Sequence, residues 1–423
     1  GRIDGIVAGA TAFQTLEAFA NALGSGGQEG ETQAVLRCLE FLRKKRELFA
    51  RPLLSLEEYL YMGEKRAPSF PHDRAELYSL ALYYQKKLEE KGLYDEIDLA
   101  KRALAERKRP SAAEVWDLVV CDEIQDMTDA HVELLFDFAA NRNKVFFAGD
   151  ERQSVNPSGF RWEAVRARFY EAGIAVPEFI KLSMNFRSSG SIVELGNALL
   201  ELKKTYVGAG KLESPETWKF AGKAPVLVEG IQESAILDIV RQSGADRIIL
   251  TRSDEEKARL KNLLGTELVF TIFEAKGLEF DTVLLWKFIE SQEKEGLWEA
   301  MGAGNGFGPG AGRSAGAGKG HADITEDMIP HLRHELNLLY VAVARARSIL
   351  AIYDGEWPSA VWNAGRLPSI VVRARETSFL TESWSTASTP EAWASQGDGL
   401  YQRGYLKAAA ECYRHAGQEA KED

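Results

Sequence analysis

The sequence predicts an α/β protein: two doubly wound parallel-sheet domains, a helical N-terminal region and a helical unit at the C-terminal end. Three observations carry this. Leucines recur at helical spacing before residue 110, short apolar runs alternate with helix-like stretches from 115 onward, and the spacing of a single helical-repeat unit appears after 386. With 423 residues, the chain is too long for one core.

Residues 1–110 carry Leu36, Leu39, Leu42 and Leu48, then Leu77, Leu80, Leu82 and Leu88, set among charges, with Pro52, Pro68, Pro71 and Pro110 breaking the segments. Seven apolar runs follow, at 118–121, 145–148, 226–228, 248–250, 269–272, 283–286 and 349–353. Helix-like intervals between most of them are the mark of βα units. Residues 302–320 form a Gly/Ala tract of low complexity, read as a disordered surface loop. The domains are therefore expected at 1–110, 111–180, 181–385 and 386–423.

Composition excludes several classes. It is 45% hydrophobic and 27% charged, as in ordinary globular proteins. No run of 18 uncharged apolar residues exists to span a bilayer. Cys38, Cys121 and Cys412 are odd in number and far apart, which argues against a disulfide framework or zinc site and for an intracellular setting, nucleus or cytoplasm. A net charge of −11 argues against a uniformly basic nucleic-acid surface, but leaves room for a local basic channel.

The strongest local signal is the apolar run at 118–121 ending in Asp122-Glu123-Ile124-Gln125-Asp126. Two carboxylates at the end of a parallel strand stand where α/β ligands bind. Mg²⁺ takes one or two carboxylates beside water and phosphate oxygens, so Asp122 suits it as a metal ligand, and Glu123 suits polarising a water that attacks a γ-phosphate. An acidic loop after a core strand is the plain alternative. The next run leads into Gly149-Asp150-Glu151-Arg152-Gln153-Ser154, which brings Gln153 to the same sheet edge.

The order of motifs resembles superfamily 1 helicases of the UvrD/Rep type. DEIQD is similar to their Walker B motif and GDERQS to the glutamine motif. Leu182–Ser189 (LSMNFRSS), Thr271–Asp281 (TIFEAKGLEFD) and Glu335–Arg347 (ELNLLYVAVARAR) resemble three later motifs. The resemblance implies two RecA-like domains, the first incomplete, with 1–110 inserted in it. It implies ATP and Mg as cofactors, Asp122, Glu123, Gln153, Arg187 and Arg345 as catalytic residues, and Gly277, Glu279, Arg187 and Arg345 as nucleotide contacts. Arg345 is read as an arginine finger: two positions past Val343, about 200° round a helix from its buried face, it need not point into the core, with a brace paired to Glu335 or Asp281 as the alternative. Single-stranded nucleic acid, DNA rather than RNA, is the implied partner. Phe160, Trp162, Thr271 and Phe273 are its candidate contacts, with burial in a core as the alternative for Phe160 and Trp162.

Within that family the chain is most similar to the helicase-like segment of proteins that carry TPR and ankyrin repeats. Trp393, Gly397, Ala409, Tyr413 and Ala416 hold positions 4, 8, 20, 24 and 27 of a 34-residue TPR unit. One such unit cannot bury its own face, so it is expected to pack on the α/β core or on further repeats, and it implies protein partners.

Four departures qualify the resemblance. No G-x-x-x-x-G-K-[ST] occurs: Gly318-Lys319 is followed by Gly320, and Gly210-Lys211 and Gly222-Lys223 lack the leading glycine and the hydroxyl. This chain alone is therefore expected to bind ATP poorly. Phe273 replaces a histidine and Ala344 a threonine of the family pattern, and Phe270 comes 83 positions after Arg187, too soon for a large accessory insertion. Strand separation is thus less expected than translocation. A scaffold derived from a helicase, binding nucleic acid or protein without catalysis, is the rival reading.

Overall fold

The computed structural model describes residues 53–61, 74–107, 115–153, 162–171, 173–176, 178–208, 215–242, 244–289, 298, 301 and 329–418. The Gly/Ala tract, Phe160, Ser154 and the leucines before 52 lie outside the described residues. The chain divides into two compact units, 1–180 and 181–423. All seven apolar runs contain strands, and among the described residues every strand pair is parallel.

In the first unit, β1 (Val119–Cys121) pairs with β2 (Val145–Phe147). Between them, helix Asp129–Phe138 starts at Thr128, whose side chain accepts the His131 N–H, closing the first turn. Cys121, Ile124, Val132, Phe136, Val165 and Phe169 form the core beneath the strands, with Phe136 edge-on to Phe147 and Phe169. Helix Arg74–Lys91 buries Leu77, Leu80, Ala81, Tyr84 and Leu88. Leu82 is exposed, against the sequence expectation: it stands two positions past Leu80, about 200° round the helix, and Tyr84 fills the inward place.

The second unit holds a six-stranded sheet. Its members are β5 (Val226–Val228), β6 (Arg247–Thr251), β7 (Val269–Thr271), β8 (Phe280–Trp286), β9 (Ala346–Tyr353) and β10 (Val372–Ala374), in the order β10-β5-β9-β8-β6-β7. Val228, Ile249, Val269, Leu284, Trp286, Ala351 and Tyr353 pack against Ile236 and Val240 of helix Glu233–Val240 and Leu260 of helix Asp254–Leu264. The central strands are buried on both faces, which is why their sequence reads as continuous apolar runs. Edge strand β10 exposes Val372 and Arg373, and only the brief apolar run at 370–372 precedes its charged residue. A separate short pair, β3 (Met184–Asn185) and β4 (Thr217–Trp218), stands beside the helix Gly190–Val207.

The same unit ends in a helical hairpin, Pro390–Gln402 and Leu406–His415. Trp393 stacks on His415 with centroids 4.4 Å apart, and a Cβ on Gly397 would lie 2.8 Å from the Tyr413 ring, so the helices meet where only glycine fits. Ala409 and Cys412 are buried. Burial, reinforced by Glu411, pushes the Cys412 thiol up to about 12, and burial also raises Cys121. A thiolate is the reactive form. Native protein at pH 8 is therefore expected to leave both thiols unmodified by iodoacetamide for hours, with rapid labelling after denaturation; peptide mass spectrometry reads each site.

Candidate functional site

In the first unit, the polypeptide turns sharply where β1 ends. Glu123 adopts a left-handed backbone, φ 53°, which is costly for a residue with a side chain and exposes its carboxylate. The Glu123 N–H donates to Asp122 Oδ1 at 2.9 Å, and the Ile124 N–H to the Ala148 carbonyl at 3.0 Å, which locks this turn to the end of β2. Gln125, fully buried, donates from Nε2 to the Glu123 carboxylate and accepts the Asp150 N–H on Oε1 at 3.0 Å. One amide thus holds both strand-end loops. Gly149 makes this approach possible: a Cβ there would fall 2.4 Å from Gln125 Oε1. Gln125 was missed as a functional residue; its place between two acidic residues was legible, its burial was not.

Asp150 accepts Arg152 Nε at 2.7 Å, the Arg152 N–H at 3.0 Å and Gln153 Nε2 at 3.1 Å. Burial pushes its carboxyl up, but the Arg152 pairing outweighs that and holds it below the usual carboxylate range. Gln153 therefore has its amide turned to Asp150, whose own N–H is held by Gln125. Trp162 is half-buried against the core and edge-on to Phe179, the placement of a packing residue. Asp122, a hard oxygen donor exposed at the strand end, fits a Mg²⁺ ion. Among the described residues no three potential metal ligands cluster.

In the second unit, three motif segments far apart in sequence converge. Asn185 Oδ1 accepts the N–H groups of Arg187 and Ser188 at 2.9 and 2.8 Å, while its Nδ2 donates to Glu216 at 2.8 Å. This turn aims Arg187 at Glu279, and Arg187 Nη1 lies 2.6 Å from Glu279 Oε1. The Ser188 hydroxyl donates to the Ala346 carbonyl and the Ser189 N–H to that of Arg347, stitching the 185–189 segment to the start of β9. Gly277, at φ 75°, turns the loop into β8. Thr271 is buried and exchanges hydrogen bonds with Glu274, closing that loop at its base; Phe273 is exposed.

Arg345 corrects the sequence expectation. It is only 2% exposed, with Nε donating to the Val341 carbonyl at 3.0 Å and Nη1 to that of Leu278 at 3.2 Å. The helix Ile329–Val343 ends before it, so a helical projection from Val343 does not apply. Its side chain folds back over the helix end, where unsatisfied carbonyls favour a cation. Phe186, unmarked by the sequence reading, is 60% exposed beside Arg187, with Lys219 Nζ 5.3 Å from its ring centroid. An aromatic between Asn185 and Arg187 was the only available signal.

Residues 41–168 match the UvrD/REP helicase N-terminal domain. TPR and ankyrin repeat-containing protein 1 of Homo sapiens is 30% identical over 427 residues, covering 90% of this chain and 14% of that protein. The chain thus spans about a seventh of that relative's length. A solved structure, the C-terminal domain of a possible DNA helicase from Lactobacillus plantarum WCFS1, superposes with a TM-score of 0.27 at 19% identity, over 45% of this chain and 99% of that one. The resemblance to UvrD/Rep-type helicases and to the TPR and ankyrin repeat-containing protein is therefore a finding of sequence comparison as well as of motifs. Among the described residues no helix is long and apolar enough to cross a membrane.

Proposed function

We propose that this chain is the core of an ATP-dependent nucleic-acid translocase or helicase of UvrD-like type. The observation that carries the reading is the convergence of segments 185–189, 277–280 and 345–347 in the second unit, with Arg187 on Glu279. As a half-exposed ion pair, Arg187–Glu279 contributes little to the stability of a scaffold. For a nucleotide, the guanidinium presents a planar donor fork to a phosphate, and Glu279 accepts from ribose hydroxyls. On this reading the two units are RecA-like, the first incomplete, with 1–110 inserted in it and a TPR start from 386.

In the first unit, Asp122 would hold Mg²⁺, which neutralises phosphate charge when bound. Glu123 takes the proton of the attacking water, and the Gln125 amide keeps its carboxylate at the strand end. Gln153 reads the phosphate by exchanging its Asp150 bond for a phosphate oxygen. Phe273 and Phe186 offer exposed rings on which bases stack, at about 1–3 kcal/mol per base. Single-stranded DNA is the proposed polymer, protein partners would bind through the repeats, and the setting would be nucleus or cytoplasm.

The test compares this chain with a longer one that carries a phosphate-binding loop. The 423 residues alone are expected to show negligible ATP hydrolysis with or without single-stranded DNA, because the backbone cradle and its lysine supply much of the phosphate's charge stabilisation. The longer chain is expected to hydrolyse ATP with stimulation by single-stranded DNA. A longer chain that binds DNA but neither binds nor hydrolyses ATP would make the scaffold reading correct.

A further inference from the structure

The loop 272–279 links β7 to β8 and carries Glu279. From the start of β9 it is held by Arg345, which donates to the Leu278 carbonyl. Two more of its carbonyls are held from the C-terminal hairpin of the same unit. Arg403 Nη1 donates to the Gly277 carbonyl at 2.8 Å, and the Tyr405 hydroxyl to the Glu274 carbonyl at 2.6 Å. Both residues sit in the turn between the two helices of the C-terminal hairpin.

The hairpin is docked firmly enough for this to matter. Glu411, buried, accepts the Thr266 hydroxyl at 2.6 Å and the Glu267 N–H at 2.5 Å. The Ser388 hydroxyl accepts the Ala245 N–H at 3.0 Å, and the Tyr405 ring meets Phe270 edge-on at 5.5 Å. These contacts fix the turn against the end of the sheet. The repeat-like unit therefore does not merely cap the fold: its turn reaches the one loop whose conformation sets where Glu279 points.

We propose that Arg403 and Tyr405 are positioning residues for the nucleotide loop, so that the C-terminal repeat is a working part of the site. This rests on the reading that Glu279 and Arg187 face a nucleotide. Gly277 has a backbone open to several conformations. A charge-assisted bond on its carbonyl selects one peptide orientation, and with it the direction of the Leu278–Glu279 segment. A partner that draws on the hairpin would act on the site through these two bonds.

Arg403 is exposed, so Arg403→Ala is expected to fold normally. Amide hydrogen exchange on the 423-residue chain should speed up at least tenfold in a peptide covering 272–281, while 247–251 of β6 stays protected. Tyr405→Phe should give a smaller change in the same peptide, and Arg403→Lys should restore most of the protection. In a longer chain that binds ATP, Arg403→Ala should erase the preference for ATP over 2′-deoxy-ATP, with triphosphate affinity retained. Unchanged exchange at 272–281, or an unchanged ribose preference in a loop that has loosened, would overturn the proposal. If the unaltered longer chain binds no nucleotide, the functional reading fails by itself, and loop exchange still decides whether Arg403 and Tyr405 position the loop.

Discussion

Arg345→Ala is expected to lower the thermal midpoint of the second unit by roughly 6–12 °C. The substitution removes the donors to the Val341 and Leu278 carbonyls and empties a buried volume at the helix end. A buried polar group left without its partner costs about 1–3 kcal/mol, and the cavity adds to that. About 3 kcal/mol in a unit of this size shifts the midpoint by roughly 2–4 °C per kcal/mol. A helical projection from Val343, which need not turn Arg345 into the core, implies the opposite: a nearly unchanged midpoint. Thermal unfolding followed by near-ultraviolet circular dichroism tests this without any need for ATP. A midpoint within about 2 °C of the parent would mean that the Leu278 and Val341 bonds stabilise nothing.

The same substitution bears on the functional reading. In a longer, active chain, turnover should fall by ~10³-fold or more if Arg345 also reaches phosphate charge during the reaction. It would then have to exchange its carbonyl bonds for phosphate oxygens. Arg345→Lys separates the two roles. Lysine satisfies one carbonyl as a point donor and should recover part of the stability, but it lacks the planar fork and should recover little turnover. Equal recovery of both would reduce Arg345 to a brace.

What could be read in the sequence follows from how strongly each element depends on local pattern. Central strands such as β8 and β9 are buried on both faces, so their composition announces them. Edge strand β10 and the pair β3 and β4 are short and half exposed, and their pairing is a tertiary fact that no local pattern encodes. The candidate site divides in the same way. Asp122 and Glu123 were legible because a strand followed by two carboxylates is a local signature. Gln125 and Arg403 were not, because each acts through a residue distant in sequence: Asp150 for the first, Gly277 for the second. Arg345 was legible as a motif residue and illegible as a buried one, because a helix end two residues earlier changes where its side chain goes.

Glu123→Gln is expected to slow ATP hydrolysis by ~10²–10⁴-fold in an active longer chain while leaving ATP binding intact. Glutamine keeps the size of the side chain and tolerates the left-handed backbone of Glu123 about as well as glutamate does. Gln125 Nε2 can still donate, now to the amide oxygen, so the link between the strand-end loops survives and the fold should not change. Only the carboxylate able to take a proton from water is lost. Gly149→Ala supplies the contrast: its new Cβ collides with Gln125 Oε1 and shifts the Glu123 carboxylate without removing it. Hydrolysis should therefore fall less in Gly149→Ala than in Glu123→Gln, although its unfolding midpoint should fall more. Single-turnover hydrolysis and equilibrium binding of ATP, measured on both variants, fix the order. If Glu123→Gln hydrolyses ATP within about threefold of the parent, its carboxylate is not the base, and the strained turn at the end of β1 serves the loop connection alone.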